Sequence, residues 1–245
     1  MTGSGPGHGD GERLSKRVAA LRACSRREAE QYIEGGWVRV DGRVVEEPQF
    51  RVTGQSIAID AGASLMALAD VTLVLNKPPD ITDPQKCLTR ETHLPVDPSG
   101  QRPLQRHFRK LVCPVPLEAG ASGLLVFTQD WRVERKLTED AGVMEHEVMV
   151  EVNGEVTDDH LRRLNHSTGS RGQSLPACKV SLNSTSQGTP KLRFAVKGSH
   201  PGLIAWLCDR AGLQILGMKR IRLGRVGLGG VTIGQWRYLA PHERF

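Results

Sequence analysis

Leu117-Glu-Ala-Gly-Ala-Ser-Gly-Leu-Leu-Val-Phe-Thr-Gln-Asp130 lies near the middle of the 245-residue chain, and its reading decides the rest. Its first half is short, polar and glycine-bearing. Its second half, Gly123 to Thr128, is a near-continuous apolar run of strand formers. A loop that carries a carboxylate directly into a buried strand holds that acid rigidly at a cleft. The acid here is Glu118.

Around this stretch the chain reads as alternating strands and helices. Val71 to Leu75 is a buried-type strand stopped by Pro78-Pro79. Asp80 to Pro114 is irregular, proline-rich and long for a loop, so it is functional or mobile. A helix begins at Arg132. Glu145 to Val152 alternates as a strand, with Val148, Val150 and Val152 on one face and Glu147, Met149 and Glu151 on the other. Thr157 or Asp158 caps a helix that runs to Leu164. Ser167 to Ser174 is polar loop. Ala177–Leu182 and Lys191–Val196 read as strands, and Leu203 to Ala211 as a helix ended by Gly212. Met218 to Gly224 is a basic strand or loop, and Val226 to Leu239 closes with short strands. The irregular alternation predicts a mixed or antiparallel sheet, hence an α+β class. The Gly224–Gly230 cluster lacks the strand-then-helix setting of a phosphate loop and reads as turns.

The N-terminal part has a different plan. Leu14, Val18 and Leu21 recur at helical spacing, with Arg13, Lys16, Arg17 and Arg22 interleaved. Ser25-Arg-Arg-Glu28 is a capping box that opens a second helix, ended by Gly35-Gly36. Trp37 to Val45 reads as a tight hairpin turned by Asp41-Gly42, with Trp37 packing it against the helices. Arg26 and Arg27 oppose the dipole of the helix they begin, a cost offset by an anion bound there. The helix-helix-hairpin module therefore reads as RNA-binding.

Composition is consistent with this. The formal charge is +6 and the pI about 9.3, which favours a polyanionic partner. No apolar run is long enough to span a bilayer. Met1 to Gly11 lacks the basic start and apolar run of a signal peptide and reads as a disordered tail. The five scattered cysteines have no metal-pair spacing and read as reduced thiols packed as small hydrophobes. The expected organisation is a tail over 1–12, the RNA-binding module over 13–60, a linker over 61–70 and one large domain over 71–245.

Two resemblances sharpen these readings. Arg13-Leu-Ser-Lys16, Cys24-Ser-Arg-Arg-Glu-Ala29, Ile33-Glu-Gly-Gly36 and Asp41-Gly42 resemble the alpha-L RNA-binding motif, named from a small-subunit ribosomal protein. The resemblance implies contact with structured RNA through its phosphates. Leu75-Asn-Lys-Pro-Pro79, Ser122-Gly-Leu-Leu-Val-Phe-Thr-Gln-Asp130, Lys219-Arg-Ile-Arg-Leu-Gly224 and Gly234-Gln-Trp-Arg-Tyr-Leu239 resemble the Rsu-type ribosomal RNA pseudouridine synthases, with an RluF-like pattern. That family isomerises uridine without metal or cofactor. The resemblance implies an essential aspartate, an arginine paired with it and a tyrosine stacked on the extruded base.

The departures fall on those very groups. Glu118 stands at the aspartate's place, Pro116 at the preceding arginine's, and Val148 at the tyrosine's. Pro201 to Leu207 replaces a basic helix start, with Trp206 filling the space of a lost basic residue. Glutamate adds a methylene that moves its oxygens by about 1 Å, a misplacement that costs on the order of a hundredfold. A lost stacking ring removes about 1–3 kcal/mol per base. Asp80, Glu147 and Asp130 are other carboxylates able to re-form a site.

The resulting expectation is a cytoplasmic, monomeric RNA-binding protein of this family, with no membrane association. It acts on structured RNA, ribosomal RNA or ribosome assembly intermediates, through Arg13, Lys16, Arg17, Arg26, Arg27, Lys77, Arg220 and Arg222. Its isomerase activity is lost or weakened. The alternative is an active synthase using Glu118. His146 is taken for a surface-strand residue that could contact phosphate but needs no special role, and His200 is assigned none.

Overall fold

The computed structural model describes residues 11–65, 69–118, 120–165, 175–176 and 178–245. Residues 1–10 of the tail expected over 1–12 and the expected loop at Ser167–Ser174 lie outside them; Gly11 is buried and Glu12 pairs with Val52 in a short strand, so the end of that tail is part of the fold. The chain divides into two compact units, Met1–Ala69 with Arg102–Arg109, and Asp70–Gln101 with Lys110–Phe245.

The first unit contains β1 (Glu12–Arg13), α1 (Leu14–Arg22), α2 (Arg26–Glu34), β2 (Val38–Val40), β3 (Arg43–Val44), β4 (Arg51–Val52) and β5 (Ile57–Ile59). The capping box forms as expected. The Ser25 hydroxyl accepts from the Glu28 amide at 3.2 Å, and the Ser25 amide donates to the Glu28 carboxylate at 2.7 Å. Gly36 (φ +69°) takes the left-handed backbone just beyond the end of α2. The Asp41-Gly42 turn places both residues at positive φ, which joins β2 and β3 without splaying them. Leu14, Val18, Ala29, Ile33, Val38 and Val52 form the core, with Trp37 partly buried against it.

Residues 102–109 were expected inside the second domain but cluster with the first unit. The reason is local. Arg102 Nη2 donates to the carbonyls of Gly35 and Gly36, both at 3.1 Å, and its guanidinium lies over the Trp37 ring. A cation there satisfies carbonyls that the end of α2 leaves without helical partners. The Gln105 amide donates to Glu46 at 2.5 Å.

The second unit contains β6 (Thr72–Lys77), β7 (Ala121–Thr128), α3 (Trp131–Glu139), β8 (Glu145–Val152), α4 (Asp158–Leu164), β9 (Cys178–Ser186), β10 (Thr189–Lys197), α5 (Leu203–Ala211), β11 (Ile215–Leu223), β12 (Val226–Gly227) and β13 (Trp236–Tyr238). One sheet runs β13-β6-β7-β11-β8-β10-β9, with β12 paired to β11. The β7–β11 pair is parallel and the others antiparallel, so the sheet is mixed and the class α+β. One core packs α4 and α5 on β8 and β10 through Val150, Leu164, Phe194 and Leu207. A second packs α3 on β6 and β7 through Val74, Leu124, Val126 and Leu137.

The proline-rich stretch after β6 is anchored to the sheet. The Trp236 indole donates to the Thr89 carbonyl at 2.7 Å, and Asp97 accepts from the Tyr238 amide at 2.7 Å. His93 pairs with Asp97 at 2.8 Å and packs on the Trp236 ring.

Candidate active-site cleft

A cavity of about 250 Å³ opens where the loop before β7 meets β8, β11 and the start of α5. It lies wholly within the second unit. Pro116, Leu117 and Glu118 form one side; Gly198, Ser199, His200 and Pro201 form another; His146, Val148 and Arg220 lie between. Glu118 and Val148, which the sequence places in one site, do come together here.

Glu118 is exposed at the rim, and its carboxylate is engaged. Oε1 accepts a hydrogen bond from the Gly202 amide at 2.7 Å. Gly202 is the residue that caps α5 and takes φ +80°. A negative charge is favoured where a helix begins, because the first amides lack partners and the dipole is positive there.

Arg220 brings a cation to the cavity, but it is bonded to backbone carbonyls and not to Glu118. It is 2% exposed, and its guanidinium reaches back across the strands. Nε donates to the Leu124 carbonyl at 2.8 Å, Nη2 to Val115 at 2.9 Å and Nη1 to Pro116 at 3.5 Å. One arginine thus ties β7 to the loop that ends in Glu118. Burial pushes its pKa down to about 10, and no carboxylate pairs with it among the described residues. Gly123 lets the backbones of β7 and β11 come together at Arg220. A Cβ there would lie 2.2 Å from the Arg220 carbonyl, and the residue takes φ +99°.

A bulge in β11 sorts its arginines. Arg220 faces Val148 and Arg222 faces Glu147, so two residues that a regular strand would put on one face point to opposite sides. Arg222 is half-buried and ion-paired with Glu145 and with Glu147, the latter at 2.6 Å. Glu147 also takes both nitrogen arms of Arg193, and the hydrogen bonds from Arg222 first and Arg193 next hold its pKa below the usual carboxylate range. It is therefore turned away from the cavity. Asp130 caps α3 through the Arg132 amide at 2.8 Å and does not line the cavity either.

His146 was taken for a surface residue and is buried. It is 7% exposed, it lines the cavity, and its Nε2 has no hydrogen-bond partner. Burial first, and then the charges of Arg220 and His200, lower its pKa to about 4, so it is neutral at physiological pH. The alternation that turns Val148, Val150 and Val152 inward puts His146 on the same face, and this was the available signal. Trp206 is partly buried against the core beneath α5, with Arg210 over its ring.

The basic residues divide by unit. Arg13, Lys16, Arg17, Arg26 and Arg27 are exposed on or just before α1 and at the start of α2. Lys16 and Arg17 share Glu12 at 2.8 and 3.6 Å, and Arg26 lies 3.5 Å from Glu30. In the second unit Lys77 is buried, its ammonium donating to the carbonyls of Ala121 at 2.8 Å and Pro78 at 3.1 Å. Burial lowers its pKa. Lys77, Arg220 and Arg222 are thus engaged by protein groups. Burial raises the thiols of Cys113 and Cys178 to about 11 and of Cys208 to about 12, so they are protonated and inert as nucleophiles. No helix among the described residues is long and apolar enough to cross a membrane.

Residues 12–57 match the S4 domain. An uncharacterized RNA pseudouridine synthase of Aquifex aeolicus is 28% identical over 235 residues, covering 94% of each chain. The ribosomal large subunit pseudouridine synthase B of Bacillus subtilis is 26% identical, covering 95% of this chain and 93% of that one. The dual-specificity RNA pseudouridine synthase RluF of Salmonella typhi is 25% identical, covering 94% and 76%. A crystal structure of a pseudouridylate synthase superposes with a TM-score of 0.55 at 16% identity, covering 93% and 96%. Residues 12–57 are thus an S4 domain, and nearly the whole chain is similar in sequence to RNA pseudouridine synthases and shares the fold of a pseudouridylate synthase.

Proposed function

We propose that the protein binds structured RNA, ribosomal RNA or an assembling ribosome, in the cytoplasm, and that its cleft holds a base while isomerising uridine slowly or not at all. The exposed cluster from Arg13 to Arg27 carries the phosphate contacts. The observation that carries the catalytic half of the reading is the bond between Glu118 and the Gly202 amide. A carboxylate spent on the start of a helix is not directed at a base. Val148 supplies bulk where the resemblance implies a stacking ring.

The test is direct. The pure protein is incubated with deproteinised ribosomal RNA, and pseudouridines are mapped by mass or chemical modification. Tight binding without conversion supports the reading, and stoichiometric conversion at one uridine overturns it.

One observation favours the active alternative. Arg220 lines the same cavity as Glu118 and has no carboxylate partner among the described residues. If Glu118 left Gly202 for Arg220, a carboxylate–guanidinium pair would form inside the cleft. Conversion that vanishes in Glu118→Ala and in Glu118→Gln identifies that state.

A further inference from the structure

The cavity has one polar feature that neither the fold nor the loop chemistry uses. His146 Nε2 is buried without a partner, beside a fully buried arginine. A buried polar atom left so is destabilising, which calls for a reason. The rest of the wall near it is apolar, including Val148, Val196 and Met218. A planar heterocycle suits such a space, with its ring on the apolar wall and one polar edge turned to His146 and Arg220.

We propose that His146 determines which base the cleft accepts, its neutral imidazole accepting from the ring N–H of a uracil while Arg220 donates to the neighbouring carbonyl. A guanidinium can only donate, and an unprotonated imidazole nitrogen can accept. One donor beside one acceptor complements an edge with a carbonyl next to an N–H. Uracil has that edge. Cytosine presents a ring nitrogen that is itself an acceptor, so it is unmatched in the proposed tautomer, with the imidazole proton on Nδ1 and the accepting lone pair on Nε2. The burial that keeps His146 neutral is what preserves its accepting lone pair. His146 is thus a specificity residue, and this inference rests on the reading that a base enters the cavity.

The experiment compares the full chain with His146→Gln and His146→Phe, using uridine and cytidine as free nucleoside probes and ribosomal RNA as the macromolecular probe. The wild type binds uridine about tenfold more tightly than cytidine, as expected for one hydrogen bond. His146→Phe keeps the ring's bulk and brings the ratio to near one. His146→Gln, whose side-chain oxygen can replace the acceptor, retains most of the preference. A merely structural role would lower both affinities together and leave the ratio alone. An unchanged ratio in a folded His146→Phe protein overturns the proposal, as does a wild type that binds ribosomal RNA but neither nucleoside. Failure to bind ribosomal RNA, with nucleoside discrimination intact, instead overturns the proposed function and leaves the role of His146 standing.

Discussion

The Glu118 carboxylate accepts from the Gly202 amide at 2.7 Å, joining two loops that line the same cavity. The bond has a structural consequence whether or not the protein turns over. Glu118→Ala leaves an amide at the start of α5 without its acceptor, and stability falls by about 1 kcal/mol. Glu118→Gln keeps an acceptor and loses less. Urea denaturation of the three proteins checks this, and equal midpoints would show that the contact contributes nothing.

Arg220 is the more costly residue to lose. Its guanidinium satisfies carbonyls of Leu124 and Val115 from inside the sheet. Arg220→Met removes those donors and leaves buried acceptors unpaired, for a loss of about 2–4 kcal/mol. Arg220→Lys retains charge but only part of the fork geometry, and falls between. Thermal unfolding ranks the variants. The same substitutions loosen the loop from Val115 to Glu118, which increases hydrogen exchange at the Ala121 amide, now bonded to the Glu118 carbonyl at 3.0 Å.

Much of this architecture was legible in the sequence because local rules decided it. Ser25 with Glu28, and Asp41 with Gly42, carry their own geometry. The apolar run from Gly123 to Thr128 had only one way to be buried. The cleft was legible in its membership but not in its wiring. Arg220 and Arg222 sit two apart, and period-two logic puts them on one face. A bulge, set by how β11 meets β8, separates them. The cation that lines the cavity with Glu118 comes from a strand about a hundred residues away, where no sequence neighbour of Glu118 points to it. Lys77 was expected to contact RNA, yet backbone carbonyls turn its ammonium inward.

RNA affinity should follow the first unit's charge. Arg26 and Arg27 are exposed at the start of α2. Each phosphate contact contributes about 0.9 to the slope of log affinity against log salt on duplex nucleic acid. Arg26→Ala with Arg27→Ala therefore weakens binding and lowers that slope by about 2. Filter binding to ribosomal RNA across a salt series measures both. An Arg193→Ala control removes a cation bonded to Glu147 and leaves the slope unchanged.

The histidine in the cleft makes stability depend on pH in a defined direction. Burial, with Arg220 and His200 nearby, lowers the folded pKa of His146 to about 4 from an ordinary 6.5. Glu118 lines the same cavity and does not reverse this. Between those values the unfolded chain binds a proton that the folded chain refuses. The contribution is therefore complete above pH 6.5 and is lost as pH falls toward about 4. Allowing for solvent screening, it amounts to about 2 kcal/mol. His146→Gln cannot titrate, so the difference in unfolding free energy between it and the wild type changes by that amount across the window. Carboxylates such as Glu147 and Glu243, whose ion pairs hold them low, act in both proteins and cancel. A difference that stays flat from pH 7 to pH 4 would place His146 in contact with solvent and remove the basis for its role in choosing a base.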